Sequence, residues 1–286
     1  MTTLRIDHIT GYATVQDHGR PGQAHLSIPP SGAFDRAAHD FANRLVGNAD
    51  QAATLEMTRA TIALSFDADA MIAVTGAPAS IMFDGRQRET QRAMLVPAHT
   101  QVLIATQHLG MRTYLAVRGG IDTENVMGSR SYDELSKIGT PPVADHQELR
   151  IGSDASATPA VARQVWSGAN VAPSVTLQIH KGPRWGYCKN SEDLLDYDYI
   201  VTASLNRIGI RLQGKPIHWN TEERLPSEGV LTGSIQIAAD GMPLIFGPDH
   251  PTTGGYPVIG VVDEKAMGTV AQLAPGTMIR FSQFHR

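Results

Sequence analysis

Apolar residues at every second position recur through the first half of this chain, and that spacing commits it to strands. Ile62, Leu64 and Phe66 alternate with Thr61, Ala63 and Ser65, and Val102 and Ile104 flank Leu103 in the same way. Short apolar runs follow at intervals, MIAVTG, SIMFDG, MLVPAHTQVLIAT and RTYLAVRGG, each closed by Gly, Pro, Asp or Asn. With 27 glycines and 17 prolines to supply turns, the layout fits a barrel or sandwich better than a β-α-β succession. The expected class is mainly β with a few short helices.

One helix interrupts the strands. Phe34, Ala37, Ala38, Phe41, Ala42 and Leu45 fall at helical spacing, which predicts a helix over 34–46 that stops at Gly47 and Asn48. Its apolar stripe is expected to pack on a sheet. From residue 153 to 173 the composition turns to Ala, Ser, Thr, Pro and Gly, and new strands begin in SVTLQIH, YIVTA and RIGIRL. A chain of 286 residues is long enough for one large or two moderate domains, near the size at which single cores stop growing. The expected division is a β sub-domain over 1–152, a linker over 153–173 and a second β sub-domain over 174–286.

Composition excludes several functions. A formal net charge of -4 with scattered basic residues lacks the field needed to hold a nucleic-acid backbone. No run approaches the roughly 18 apolar residues of a membrane span, and the N-terminus lacks a basic region followed by an apolar one, so a cytoplasmic protein is expected. Cys188 is the single cysteine, which rules out an internal disulfide, and its surroundings GYCKN favour an inert thiol. Eleven histidines show no HExxH-like spacing, so no metal site is expected. GIRLQGK at 209–215 opens like a phosphate-binding loop, but Pro216 stands where a hydroxyl should meet magnesium, and Ile208, Ile210 and Leu212 alternate as a strand. EKAMG reverses the order of a biotin-acceptor motif, so no biotin is expected on this chain.

Three stretches carry candidate chemistry. VQDHGRPGQAHLSIPPSGAFD, residues 15–35, is a long loop stiffened by Pro21, Pro29 and Pro30 and shaped by Gly19, Gly22 and Gly32. It offers Gln16, Asp17, Arg20, Ser31 and Asp35 to a ligand, with the Arg20 fork matched to a carboxylate or phosphate. The alternative makes Asp17 a turn-former and Ser31 or Asp35 helix-entry residues. In GPDHPTTGGYP, Thr252 and Thr253 precede Gly254, Gly255 and Tyr256, and hydroxyls beside paired glycines can hold an anion or oxyanion, or simply form a hairpin turn. Upstream, EGVLTGSIQIAADGMP sets Glu228, a candidate base, and Gln236 near strand edges. AVRGGIDTENVMGSRS reads as a further rim loop with Arg118, Asp122 and Arg130, or as a turn in which Arg118 pairs Asp122.

Taken in order, VQDHGRPG with PPSGAFD, AVRGGID with GSRS, LNRIGIRLQG, EGVLTGSIQ and PTTGGYP resemble the family that unites the C-type 5-oxoprolinase subunits, allophanate hydrolase subunit 2 and the biotin-dependent carboxyltransferase domain of urea carboxylase. The resemblance implies cyclophilin-like β-barrel sub-domains and action within a heteromer, beside a sister chain. In the 5-oxoprolinase branch it implies partnership with B-type and A-type subunits, ATP as co-substrate of the complex, and opening of the lactam of 5-oxoproline to glutamate. There Arg20 would clamp the substrate carboxylate while Thr252 to Gly255 stabilise charge on oxygen. In the carboxyltransferase branch carboxybiotin, delivered in trans, would pass its carboxyl group to urea or another small amide. A third implication is a regulatory module that binds a sister protein inhibiting a kinase. The chain departs from the family pattern at Ser27, Gly186, His250 and Pro251.

Overall fold

The computed structural model describes residues 2–160, 172–220 and 225–284, which fall into two compact units. The first takes Met1–Arg20, Ser31–Asp133 and Lys137–Ala169, and the second takes Pro21–Pro30, Glu134–Ser136 and Asn170–Arg286. The middle of the expected linker, 161–171, lies outside the described residues. The partition differs from the sequence expectation in moving 21–30 and 134–136 to the second unit. For the latter segment the reason is visible: the Glu134 amide donates to Asp249 Oδ2 at 3.0 Å, and its carboxylate accepts from the Arg207 amide at 3.2 Å.

The first unit is a branched ten-stranded sheet with one helix. Its strands are β1 (Thr3–Gln16), β2 (Thr54–Phe66), β3 (Ala70–Gly76), β4 (Ala79–Phe83), β5 (Arg86–Arg88), β6 (Met94–Val96), β7 (Val102–Thr106), β8 (Arg112–Val117), β9 (Ile121–Asp122) and β10 (Glu148–Ile151). The long β2 is the shared member. Its first half pairs β8 from Leu55 to Thr58, and its second half pairs β7 from Thr61 to Leu64. The alternation in the sequence has the expected result, since Ile62, Leu64 and Phe66 are buried together with Leu4, Ile6, Val102 and Ile104. The run MLVPAHTQVLIAT yields two strands because the turn at Pro97 divides it into β6 and β7. Opposite β2, Gly11 takes φ +92 at a register shift in β1. A Cβ there would stand 2.6 Å from the Arg59 carbonyl oxygen, so only glycine allows the two strands to bend together.

The helix α1 (Arg36–Val46) begins two residues later than its apolar spacing suggests, because Asp35 caps it. The Asp35 carboxylate accepts from the Ala38 amide at 3.1 Å, which leaves Phe34 ahead of the helix. The other end stops at Gly47 in the left-handed conformation, as expected. Ala38, Phe41, Ala42, Leu45 and Val46 pack against Ala73, Tyr114 and Ala116 of the sheet.

The second unit is a closed seven-stranded barrel. Its strands are β11 (Ser174–Lys181), β12 (Asp198–Leu205), β13 (Gly209–Gln213), β15 (Ser234–Ile237), β16 (Pro243–Phe246), β18 (Val258–Val262) and β19 (Met278–Gln283), in the order β11-β18-β15-β16-β13-β12-β19. A separate ribbon joins β14 (Glu228–Gly229) to β17 (Thr253–Gly254). Closure comes from the parallel pairing of β11 with β19, which leaves the barrel no open edge. Among its described residues the unit also has two short α-helices, α2 (Asp193–Asp196) and α3 (Met267–Ala271), and three 3-10 turns. The segment GIRLQGK enters β13 as a strand, consistent with its alternation and not with a phosphate loop. Among the described residues no helix is long and apolar enough to cross a membrane.

Replacing Asp35 by alanine removes the cap of α1. A loss of about 1 to 2 kcal/mol is expected, read as a lower midpoint in urea denaturation followed by circular dichroism.

Candidate functional site

Two clusters of polar residues emerge, one in each unit. In the first, the loop that leaves β1 turns back on the segment 126–132 and is fastened there by Asp17. Its Oδ1 accepts from Ser129 Oγ at 2.5 Å, Ser131 Oγ at 2.6 Å and the Gly19 amide at 2.7 Å, while Oδ2 accepts from the Arg130 amide at 2.6 Å. The Asp17 amide in turn donates to Ser131 Oγ at 2.9 Å. One buried carboxylate thus joins the QDHGR and GSRS motifs, which lie more than a hundred residues apart in sequence.

Gln16 and Arg20 serve the same junction. Gln16 Nε2 donates to the Tyr132 carbonyl at 2.9 Å. Arg20, expected to face a substrate carboxylate, has its side chain buried and donating to the carbonyls of Ser131 and Val126. A guanidinium so enclosed holds two loops at a fixed distance. Asp35 is the helix cap described above, its side chain fully buried, so of the two readings for this residue the helix-entry one describes its geometry. Ser31 adopts φ 54 and is buried, and its Oγ finds no hydrogen-bond partner among the described residues. The next residue, Gly32, sits so close to the backbone of His18 and Gly19 that a Cβ would meet atoms at 2.8 Å.

Beside this junction lies a cleft of about 310 Å³, lined by Asp17, His18, Gln51, Asn125, Arg130 and Asp154 among others. Arg130 Nη2 donates to Asp122 Oδ1 at 2.8 Å. The sequence suggested Arg118 as the partner of Asp122. Instead Arg118 Nη1 donates to the carbonyl of Val46, at the C-terminal end of α1, and to that of Ala157. Carbonyls at a helix end lack intrahelical partners, which makes them strong competitors for a guanidinium. Deeper in the unit, Glu56 accepts from Tyr114 Oη at 2.8 Å and the Phe34 amide at 2.9 Å, with Arg112 Nε 3.5 Å away. Burial, together with the charges of Glu56 and Asp35, raises the Tyr114 pKa well above its usual value, so this hydroxyl remains a donor.

In the second unit, residues expected to act together do meet. β14 and β17 place Glu228 opposite Gly254 and Gly229 opposite Thr253. Gln236 Nε2 donates to the Tyr256 carbonyl at 3.2 Å, and a Cβ on Gly254 would stand 2.7 Å from that same nitrogen. Thr253, Gly255 and Tyr256 are exposed, and Thr252 is half-buried. Below the ribbon, Asp249 forms a buried two-point pair with Arg207, at 2.8 and 2.9 Å, and so anchors the start of the Thr252–Gly255 segment.

Sequence reasoning missed the partner of Glu228. Arg184 reaches it with Nε at 3.1 Å and Nη2 at 2.9 Å from Oε2, and both groups are partly exposed. The hydrogen bonds and charge of Glu228 hold the Arg184 pKa above its ordinary value. With both its oxygens facing a guanidinium, Glu228 is placed as a counter-charge and less well as a base. Trp219 was also missed; its ring lies 5.6 Å from that of Tyr256, centroid to centroid, and gives the rim an aromatic wall. The one local signal for Arg184 is its place in GPRWGYC, two residues before the departure at Gly186.

The family model described as "Carboxyltransferase domain, subdomain A and B" matches residues 26–283. The chain belongs to this family. It is 33% identical to the C subunit of the 5-oxoprolinase of Escherichia coli (strain K12) over 288 residues, covering 98% of this chain and 91% of that protein. It is 29% identical to the urea amidolyase of Lachancea kluyveri, covering 94% of this chain but 16% of the relative. The crystal structure of the Kluyveromyces lactis urea amidolyase superposes with a TM-score of 0.89 at 24% identity, over 99% of this chain and 19% of that one, which establishes the shared fold. Within the family frame, the Asp17 junction and the ribbon of the second unit are the places where the recurrent motifs of the sequence come together in space.

Two outcomes test these assignments. Asp17→Ala leaves several buried donors without an acceptor, so a loss of about 3 kcal/mol or more is expected in urea denaturation; a change within about 0.5 kcal/mol would show that the carboxylate does not fasten the loop. Cys188 is buried and its pKa is pushed up to about 11 by desolvation, so the native chain at pH 8 should react with iodoacetamide far more slowly than the urea-unfolded chain.

Proposed function

We propose that this chain acts as the C-type subunit of an ATP-dependent 5-oxoprolinase, working with a B-type sister and an A-type partner to open 5-oxoproline to glutamate. The observation that carries the proposal is the near end-to-end match with the C subunit of the Escherichia coli enzyme, 98% of this chain against 91% of that one. In the urea amidolyases, by contrast, the matching region is a small part of the whole protein.

The chemistry asked of such a subunit is modest in kind. A lactam carbonyl must be made reactive at the expense of ATP, its oxygen must be stabilised as charge develops, and the substrate carboxylate must be held. In this reading the second unit supplies the polar rim for those tasks. Arg184, partly exposed and oriented by Glu228, takes the role of anion clamp expected of Arg20. Thr252, Thr253 and the following glycines present donors on a ribbon whose geometry is set by Glu228 and Gln236. Trp219 and Tyr256 give one side of it an aromatic lining.

The test is reconstitution with the A-type and B-type partners and measurement of ATP-dependent glutamate release from 5-oxoproline. Release that requires this chain is expected, and Arg184→Ala or Thr253→Val should lower it at least about tenfold while the complex still assembles. A complete, verified complex without turnover would overturn the proposal. The family description and the urea amidolyase relatives favour a second reading, transfer of a carboxyl group from carboxybiotin to urea or a related amide. That reading predicts carboxylated amide from a biotin carrier supplied in trans, and its absence removes it.

A further inference from the structure

The first unit also brings together three metal-ligating side chains that no sequence motif announces. His18 follows Asp17 in the loop leaving β1, and His39 and Asp40 are neighbours in α1. His18 Nε2 lies 2.8 Å, and His39 Nδ1 2.9 Å, from the same oxygen, Asp40 Oδ1. All three donor atoms lie within 4.8 Å of one another. We propose that His18, His39 and Asp40 form a binding site for a divalent transition-metal ion of the zinc class.

The donor set points to that class. Two imidazole nitrogens and one carboxylate oxygen suit zinc and its neighbours, whereas calcium and magnesium call for oxygen throughout. Donors on a tetrahedral zinc ion, each about 2.0 to 2.1 Å from the metal, stand about 3.3 Å apart. Separations of 2.8 and 2.9 Å therefore require each imidazole to withdraw from the carboxylate by about half an ångström. A metal takes each imidazole as a neutral ring, so the ion would displace any proton held between the ring and Asp40 Oδ1.

The site is also built, rigid and reachable. His39 is fully buried, edge-on to Tyr114 with ring centroids 6.2 Å apart, and its Nε2 has no hydrogen-bond partner among the described residues. His18 is fixed from below by the packing of Gly32 on its backbone, while its ring remains 27% exposed. His18 is also among the residues lining the 310 Å³ cleft, with Asn125 and Arg130. The cleft gives the ion a route in and leaves a fourth position open to water or to an anion drawn by Arg130. These residues lie wholly in the first unit, so the inference does not depend on the 5-oxoprolinase reading.

The experiment is calorimetric titration of the chelator-stripped chain with Zn2+, repeated for His18→Ala and Asp40→Asn, both at partly exposed positions, and for Cys188→Ser as a control. One ion per chain is expected for the wild type. The His18 and Asp40 variants should bind at least about tenfold more weakly, with circular dichroism spectra unchanged. Cys188→Ser should bind as the wild type does. If either ligand variant fails to fold, the wild-type Co2+ spectrum decides: a tetrahedral absorption without thiolate charge transfer supports the site. No stoichiometric uptake by the wild type, or equal uptake by wild type and both ligand variants, overturns it.

Discussion

The carboxylate of Asp17 is the interaction on which the first unit's polar loop cluster depends. A buried carboxylate is unfavourable unless its lone pairs are met, and here two hydroxyls and two amides meet them. Each of those donors belongs to a loop that would otherwise have only backbone turns to define it. The arrangement therefore converts two irregular segments into one rigid body. Arg20 repeats the logic with opposite charge, its guanidinium meeting carbonyl oxygens of the same segment.

The second unit reaches rigidity by another route. Its barrel is closed by the parallel pairing of β11 and β19, and the β14–β17 ribbon is an appendage to it, two residues per strand. So short a ribbon cannot hold its own geometry. It is held from outside by the buried Arg207–Asp249 pair at the base of one strand, by Arg184 on Glu228 in the other, and by Gln236 reaching the Tyr256 carbonyl. Gly254 is part of the same device, because only a residue without a Cβ lets Gln236 come so near.

What was legible in the sequence follows from the range of the interactions. Strands and helix were readable because their signals are local: burial alternates at Ile62, Leu64 and Phe66, and the cap and stop of α1 lie within two residues of its apolar stripe. The motif positions were readable as clusters of glycine and polar residues. The duties of individual side chains were not, because they are decided by partners far along the chain. Asp17 meets Ser129 across 112 residues, Arg184 meets Glu228 across 44, and His18 meets Asp40 across 22. Spacing rules for charged pairs and metal ligands assume one helix or one turn, so none of these pairs fell within their reach.

The same contacts explain why three neighbouring residues in one loop have such different surroundings. Asp17 faces the segment 129–131, Arg20 reaches beneath it to carbonyls, and His18 turns the other way, toward α1. Because Asp17 and Arg20 fix the backbone on either side, His18 has little freedom to choose its orientation. Side chains that bind ions or substrates must be held within about half an ångström of a productive position, and loops rarely achieve this alone. Here a loop achieves it because buried charge on one side of it settles the backbone and leaves the imidazole on the other side directed at a single carboxylate oxygen.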